Sequence, residues 1–162
     1  MSKQDTTSLQ RRAFVRSLLC AAVAAPFVAP GRAVAKDLAI TVWKSPTCGC
    51  CNDWITYLED NGFSVTSHNE GGTDAMIRLG MPFSYGSCHT GEIEGYAVEG
   101  HVPVREILRL LDERPDAVGI SVPAMPRGSP GMDGPMYGGV KDPYDVLLID
   151  RDGEATVFQS YR

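Results

Sequence analysis

The chain has 162 residues, with 15 Lys and Arg against 20 Asp and Glu, and is 43% hydrophobic and 22% charged. These values suit a single globular domain. The formal net charge of −5 argues against nucleic acid as a partner, because phosphate binding draws on an excess of Lys and Arg. No apolar run approaches the ~20 residues of a membrane-spanning helix.

Residues 1–35 read as a removable address. Lys3, Arg11, Arg12 and Arg16 face one acid, Asp5; Ser17 to Gly31, containing LLCAAVAAPFVAP, is uncharged, and Ala33-Val34-Ala35 follows after Arg32. That order of basic, apolar and small-residue regions is a secretory signal. Arg11-Arg12 before Ala13-Phe14-Val15-Arg16 resembles the twin-arginine pattern, which predicts a periplasmic protein. Cys20 then belongs to the signal. Residues 36–162 keep ten basic and nineteen acidic side chains. A chain of this size buries about two thirds of its unfolded surface and does not need disulfides to fold.

Residues 38–43 (LAITVW) form a β-branched, apolar run, expected as a buried strand. Cys51, Trp54, Ile55 and Leu58 recur at helical spacing, and Asn61-Gly62 closes that helix. A second strand is expected over 63–67. A short helix should follow over 73–79, capped by Thr73 and ended by Gly80. Residues 81–95 read as loop, 96–98 as a short strand, and Pro103 as the first turn of a helix with Val104, Ile107, Leu108 and Leu111 on its apolar face. Residues 112–143 read as a Pro-, Gly- and Met-rich loop. Strands over 145–150 and 155–159 should form a hairpin around Arg151-Asp152-Gly153. The order predicts an α/β fold, a thioredoxin-like mixed sheet flanked by helices with a C-terminal β-hairpin.

The chemistry concentrates in Cys48-Gly49-Cys50-Cys51. Cys48 and Cys51 form C-x-x-C at a strand-to-helix turn, where unpaired N–H groups and the helix dipole favour thiolate. Cys50 adds a third sulfur within one turn, and Cys88 from a later segment adds a fourth, with His89 beside it. Three readings compete. Clustered thiolates select Cu(I) or Zn over hard cations, with His89 as a further ligand. The same turn suits thiol–disulfide exchange, with Cys48 as exposed nucleophile and Cys51 as its inner partner. The third reading is a zinc- or disulfide-stabilised interaction module.

Other residues carry less. His101 is expected to be structural, and His68 has no identified partner. Met125, Met132 and Met136 are read equally as thioether ligands and as gap-fillers under a loop. Asp150-Arg151-Asp152-Gly153 lacks the later ligands of a calcium loop and reads as turn chemistry.

SPTCGCC after the first strand, SCHT at 87–90, GHVP at 100–103, VPAMPRGSPGM at 122–132 and YDVLLID at 144–150 resemble the CopG-type copper-resistance proteins, an exported family catalogued as a domain of unknown function. The resemblance covers nearly all of 38–161. It implies a thioredoxin-like fold, a periplasmic setting, and copper held by Cys48, Cys51 and Cys88 with Cys50 as the extra thiol. The combined expectation is a Cu(I)-binding protein for copper handling or resistance, with metal ligands Cys48, Cys50, Cys51, Cys88 and His89 and zinc as the alternative ion. Its partners would be copper ions and periplasmic copper or thiol-redox proteins. A copper- or thiol-linked oxidoreductase activity would fall on Cys48 and Cys51.

Overall fold

The computed structural model describes residues 38–162, so the expected signal segment lies outside the described residues. Strand β1 (Ala39–Lys44) buries alternate residues, Ile40, Val42 and Lys44, as a pleated strand with one covered face does. Helix α1 (Gly49–Asp60) follows the cysteine turn and buries Cys51, Trp54 and Leu58. Strand β2 (Ser64–His68) returns parallel to β1, and α2 (Thr73–Leu79) ends on Gly80. Strands β3 (His89–Ile93) and β4 (Tyr96–Glu99) form a hairpin. Helix α3 (Val104–Glu113) and the short strand β5 (Gly119–Ser121) come next, and β6 (Tyr144–Ile149) and β7 (Ala155–Tyr161) close the chain as an antiparallel hairpin.

The seven strands make one mixed sheet in the order β2-β1-β3-β4-β5-β6-β7. The pairs β1–β2 and β4–β5 are parallel, and the remaining neighbours are antiparallel. Two apolar clusters lie against it. The larger joins Ile40, Val42, Val98 and Ile120 to Trp54 and Leu58 of α1 and to Ile107 and Leu110 of α3. The smaller joins Ala97, Val118 and Ile149 to Met76 of α2 and to Met81. Ala97 and Val98 are successive on β4, so they point to opposite faces; α1 and α3 cover one face and α2 the other. Each fully buried large apolar side chain contributes roughly 1.5–3 kcal/mol. Among the described residues no helix is long and apolar enough to cross a membrane.

The expected elements are present, with four corrections. The segment read as loop over 81–95 contains β3, and the one read as loop over 112–143 contains β5. Strand β3 carries His-Thr-Gly-Glu among its five residues, and β5 has only three, so neither shows the apolar alternation that marks a strand. Thr73 is the first helical residue of α2 and Gly72 precedes it, with no side-chain cap; Pro103 likewise precedes α3 rather than starting it. The Asp150 turn is a hairpin turn, its Oδ1 accepting the N–H groups of Asp152 and Glu154, both at 2.9 Å.

Candidate metal centre

Strand β1 delivers the chain to the turn at 45–48, where the Cys48 N–H donates to the Ser45 carbonyl at 3.2 Å. Helix α1 starts at Gly49, with no acidic residue in its first turn. Cys48 and Cys51 are joined as a disulfide, their Cα atoms 5.4 Å apart. Cys51 is fully buried, while Cys48 and Cys50 are half-buried. Cys50 and Cys88 are free thiols. Cys50 Sγ lies 3.5 Å from Cys48 Sγ and 4.0 Å from Cys88 Sγ. Cys51 Sγ lies 3.6 Å from the Cys88 carbonyl oxygen, a packing contact, since a disulfide sulfur has no proton to donate. All four sulfurs lie within 4.8 Å of one another. The four cysteines predicted from sequence are thus brought together.

His89 falls in the segment 81–95 expected as loop. It is instead the first residue of β3 and is buried, 1% exposed, its ring 4.3 Å from that of Trp54. Its Nδ1 lies 3.3 Å from Cys88 Sγ, and its buried Nε2 has no hydrogen-bond partner. Such an orphaned polar atom costs about 1–3 kcal/mol and calls for an explanation.

His101, expected to be structural, belongs to the same centre. Its Nε2 lies 3.1 Å from Cys88 Sγ, and its Nδ1 lies 2.8 Å from the Pro130 carbonyl. A carbonyl only accepts, so Nδ1 carries the proton and the Nε2 lone pair faces the sulfur. Strand pairing causes the meeting. The β3–β4 register sets Thr90 opposite Glu99, and two steps further along that register Cys88 falls opposite His101. Gly100 makes the intervening turn at φ +71°, and a Cβ there would lie 2.5 Å from the Val122 carbonyl oxygen.

Burial sets the protonation of these groups. The Cys88 thiol is pushed up to about 12, by burial first and then by Cys50 beside it. Burial drives His89 down to about 3, helped by His101, and holds His101 below the usual imidazole value. Both rings are therefore neutral and keep lone pairs for a metal. Lys44, the last residue of β1, is buried, and its Nζ donates to Asn69 Oδ1 at 2.7 Å.

Behind Cys88 stands Glu99, a buried carboxyl that sequence reasoning missed. It accepts the Ser87 N–H at 2.7 Å, and its other oxygen lies 2.7 Å from Thr90 Oγ1. These bonds grip the residues on either side of Cys88-His89. Burial lifts the carboxyl to about 7. Opposite, the loop after β5 packs on the first turn of α1. Gly131 has φ +79°, and a Cβ there would lie 2.8 Å from the Cys50 carbonyl oxygen and 2.7 Å from the Trp54 nitrogen. Met132 is buried in that loop, whereas Met125 and Met136 are exposed. His68 stacks on Trp43, ring centroids 5.4 Å apart, and joins no group of converging ligand atoms among the described residues.

The fold and site define an α/β protein with a cysteine–histidine centre at the N-terminus of its first helix. A family model described as "Protein of unknown function, DUF411" matches residues 85–132, the stretch that supplies Cys88, His89, His101 and Pro130. Two solved structures cover far more. "Copper resistance protein copG- Form 1" is 52% identical over 78% of this chain and 98% of its own, with a TM-score of 0.71. "Copper resistance protein copG- Form 2" is 51% identical over 78% of this chain and 100% of its own, with a TM-score of 0.72. No functionally curated protein matches the chain. The chain belongs to the CopG copper resistance family.

Proposed function

We propose that the protein handles copper in the periplasm, binding Cu(I) in its reduced state through Cys48, Cys50, Cys51 and Cys88, with His89 at the edge of the site. The observation that carries this reading is the convergence of four sulfurs within 4.8 Å. Thiolates are soft donors and select Cu(I) over hard cations. Four reduced thiolates so close would repel one another, and several monovalent copper ions bridged by shared sulfurs would offset that charge. Zinc on four ligands is the alternative cargo. The relatives' name, copper resistance protein, supports copper. The twin-arginine-like segment supports export, and a cysteine pair that closes as a disulfide suits an oxidising compartment. Opening that pair frees two ligands, so reduction should load the site and oxidation should empty it.

A second reading, a thiol–disulfide oxidoreductase, draws on one observation. The Cys48–Cys51 disulfide sits at the start of α1, in thioredoxin-like placement between β1 and that helix, with the free Cys50 thiol 3.5 Å away. Anaerobic titration of the reduced protein with Cu(I) against a competing chelator separates the two. Tight uptake supports copper handling, and no uptake moves the oxidoreductase reading ahead.

A further inference from the structure

The four-sulfur cluster exists only when Cys48 and Cys51 are reduced. In the disulfide form those two sulfurs are tied to each other, yet a second set of donors stays intact. Cys88 Sγ, His89 and His101 each offer a ligand atom within 4.8 Å of the others. We propose that Cys88, His89 and His101 form a mononuclear site for a borderline divalent cation of the zinc class, available while Cys48–Cys51 is oxidised. This inference is independent of the cuprous cluster, because it concerns a different redox state, a different cation and two imidazoles.

The site is built rather than incidental. Both histidines are at most 1% exposed. His101 is oriented by its Nδ1–H bond to Pro130, the arrangement by which a metal-binding histidine has its other nitrogen fixed. The His89 nitrogen that faces Cys88 Sγ is Nδ1, at 3.3 Å. Around one tetrahedral zinc, sulfur at about 2.3 Å and nitrogen at about 2.0–2.1 Å lie about 3.5 Å apart. The Cys88–His89 and Cys88–His101 separations of 3.3 and 3.1 Å need only small outward shifts to admit an ion. Cys50 Sγ lies 4.0 Å from Cys88 Sγ but does not join the group that Cys88 forms with the two histidines. Binding releases the Cys88 thiol proton to solvent, and the positive ion takes its place against the sulfur; no electron moves.

The test uses Co(II), a redox-inert spectroscopic stand-in for zinc, on the full chain carrying Cys20→Ser. A Cys48→Ala/Cys51→Ala variant held under a non-thiol reductant leaves only Cys50 and Cys88 as thiols. It should take up one Co(II) with a thiolate-to-cobalt charge-transfer band, and one equivalent of Zn(II) should displace it. The oxidised chain with two countable thiols should give the same band. Cys88→Ser in that background should abolish the band, and His101→Gln, which removes a ligand outright, should weaken Co(II) binding by at least the roughly 10–100-fold that loss of an outer-shell partner costs. If His101→Gln does not fold, His89→Gln replaces it with the same expected loss. Absence of the band in the double variant overturns the proposal, as does a band unchanged by the Cys88 or histidine substitutions. Failure of Cu(I) uptake by the reduced protein would overturn the copper reading and leave this one standing.

Discussion

Cys88 Sγ and His101 Nε2 face each other at 3.1 Å across the open end of the β3–β4 hairpin, thirteen residues apart in sequence. Cys88 is also the sulfur through which the thiol cluster of α1 meets the imidazole pair. What holds Cys88 in place therefore governs the whole centre.

Glu99 is the first such support. In the metal-free protein its carboxyl, raised to about 7 by burial, keeps its proton longer in the folded state than in the unfolded state. The Thr90 hydroxyl has one proton and two acceptors in reach, Glu99 at 2.7 Å and the Gly72 carbonyl at 3.2 Å. A neutral Glu99 donates to Thr90 and frees that proton for Gly72. Because the native state binds more protons between the ordinary carboxylate value and about 7, stability should fall as pH rises through that window and level off above it. The loss should be on the order of 3 kcal/mol. Glu99→Gln, which can accept from Ser87 and donate to Thr90, should remove the slope. Glu99→Ala should cost about 1–3 kcal/mol and weaken metal binding. Urea melts across pH 4.5–8 check this; an unchanged slope in Glu99→Gln contradicts it.

Gly131 should tolerate no side chain. Gly131→Ala forces a Cβ to within 2.8 Å of the Cys50 carbonyl at a positive φ, and the cost should be about 1–3 kcal/mol. The loop must lift from the first turn of α1, so metal affinity should fall as well. A stability within about 0.5 kcal/mol of the parent would show that the loop does not pack on the cysteine turn as described.

Once the disulfide is opened, Cys48 should react first. It is half-buried at the start of α1, whereas Cys51 is fully buried on the core face beside Trp54. Alkylation at mildly acidic pH, read by peptide mapping, should label Cys48 before Cys51. Equal rates would remove the case for an exposed nucleophile with an inner partner.

Export should depend on the paired arginines. Arg11→Lys with Arg12→Lys should leave precursor in the cytoplasm, seen by fractionation. Normal export of that double variant would contradict a twin-arginine route.

The helices and the long strands were legible because their signals are local. Trp54, Ile55 and Leu58 repeat at helical spacing, and Asp145 to Asp150 runs apolar before a Gly turn. Strand β3 was not legible from alternation, yet it had a turn signal. Glu94 and Gly95 both have positive φ, 48° and 85°, and join Ile93 to Tyr96 as a two-residue hairpin turn. Reading Glu94-Gly95 as a turn sets the register, and the register puts His101 opposite Cys88. The thiol cluster was legible because three of its members are nearly adjacent. His89 was legible from its place beside Cys88, but His101 and Glu99 were not, because their proximity to Cys88 exists only after β3 and β4 pair. The disulfide joins Cys48 and Cys51, the C-x-x-C pair that the spacing made legible.

The most direct test of the account is anaerobic Cu(I) titration of the fully reduced protein, read as copper bound per chain against a competing chelator, for the parent and for Cys88→Ser. The account predicts tight uptake by the parent, release on oxidation to the Cys48–Cys51 disulfide, and sharply weakened binding in a still-folded Cys88→Ser variant. No Cu(I) uptake by the reduced parent, or the same uptake by Cys88→Ser, would contradict it.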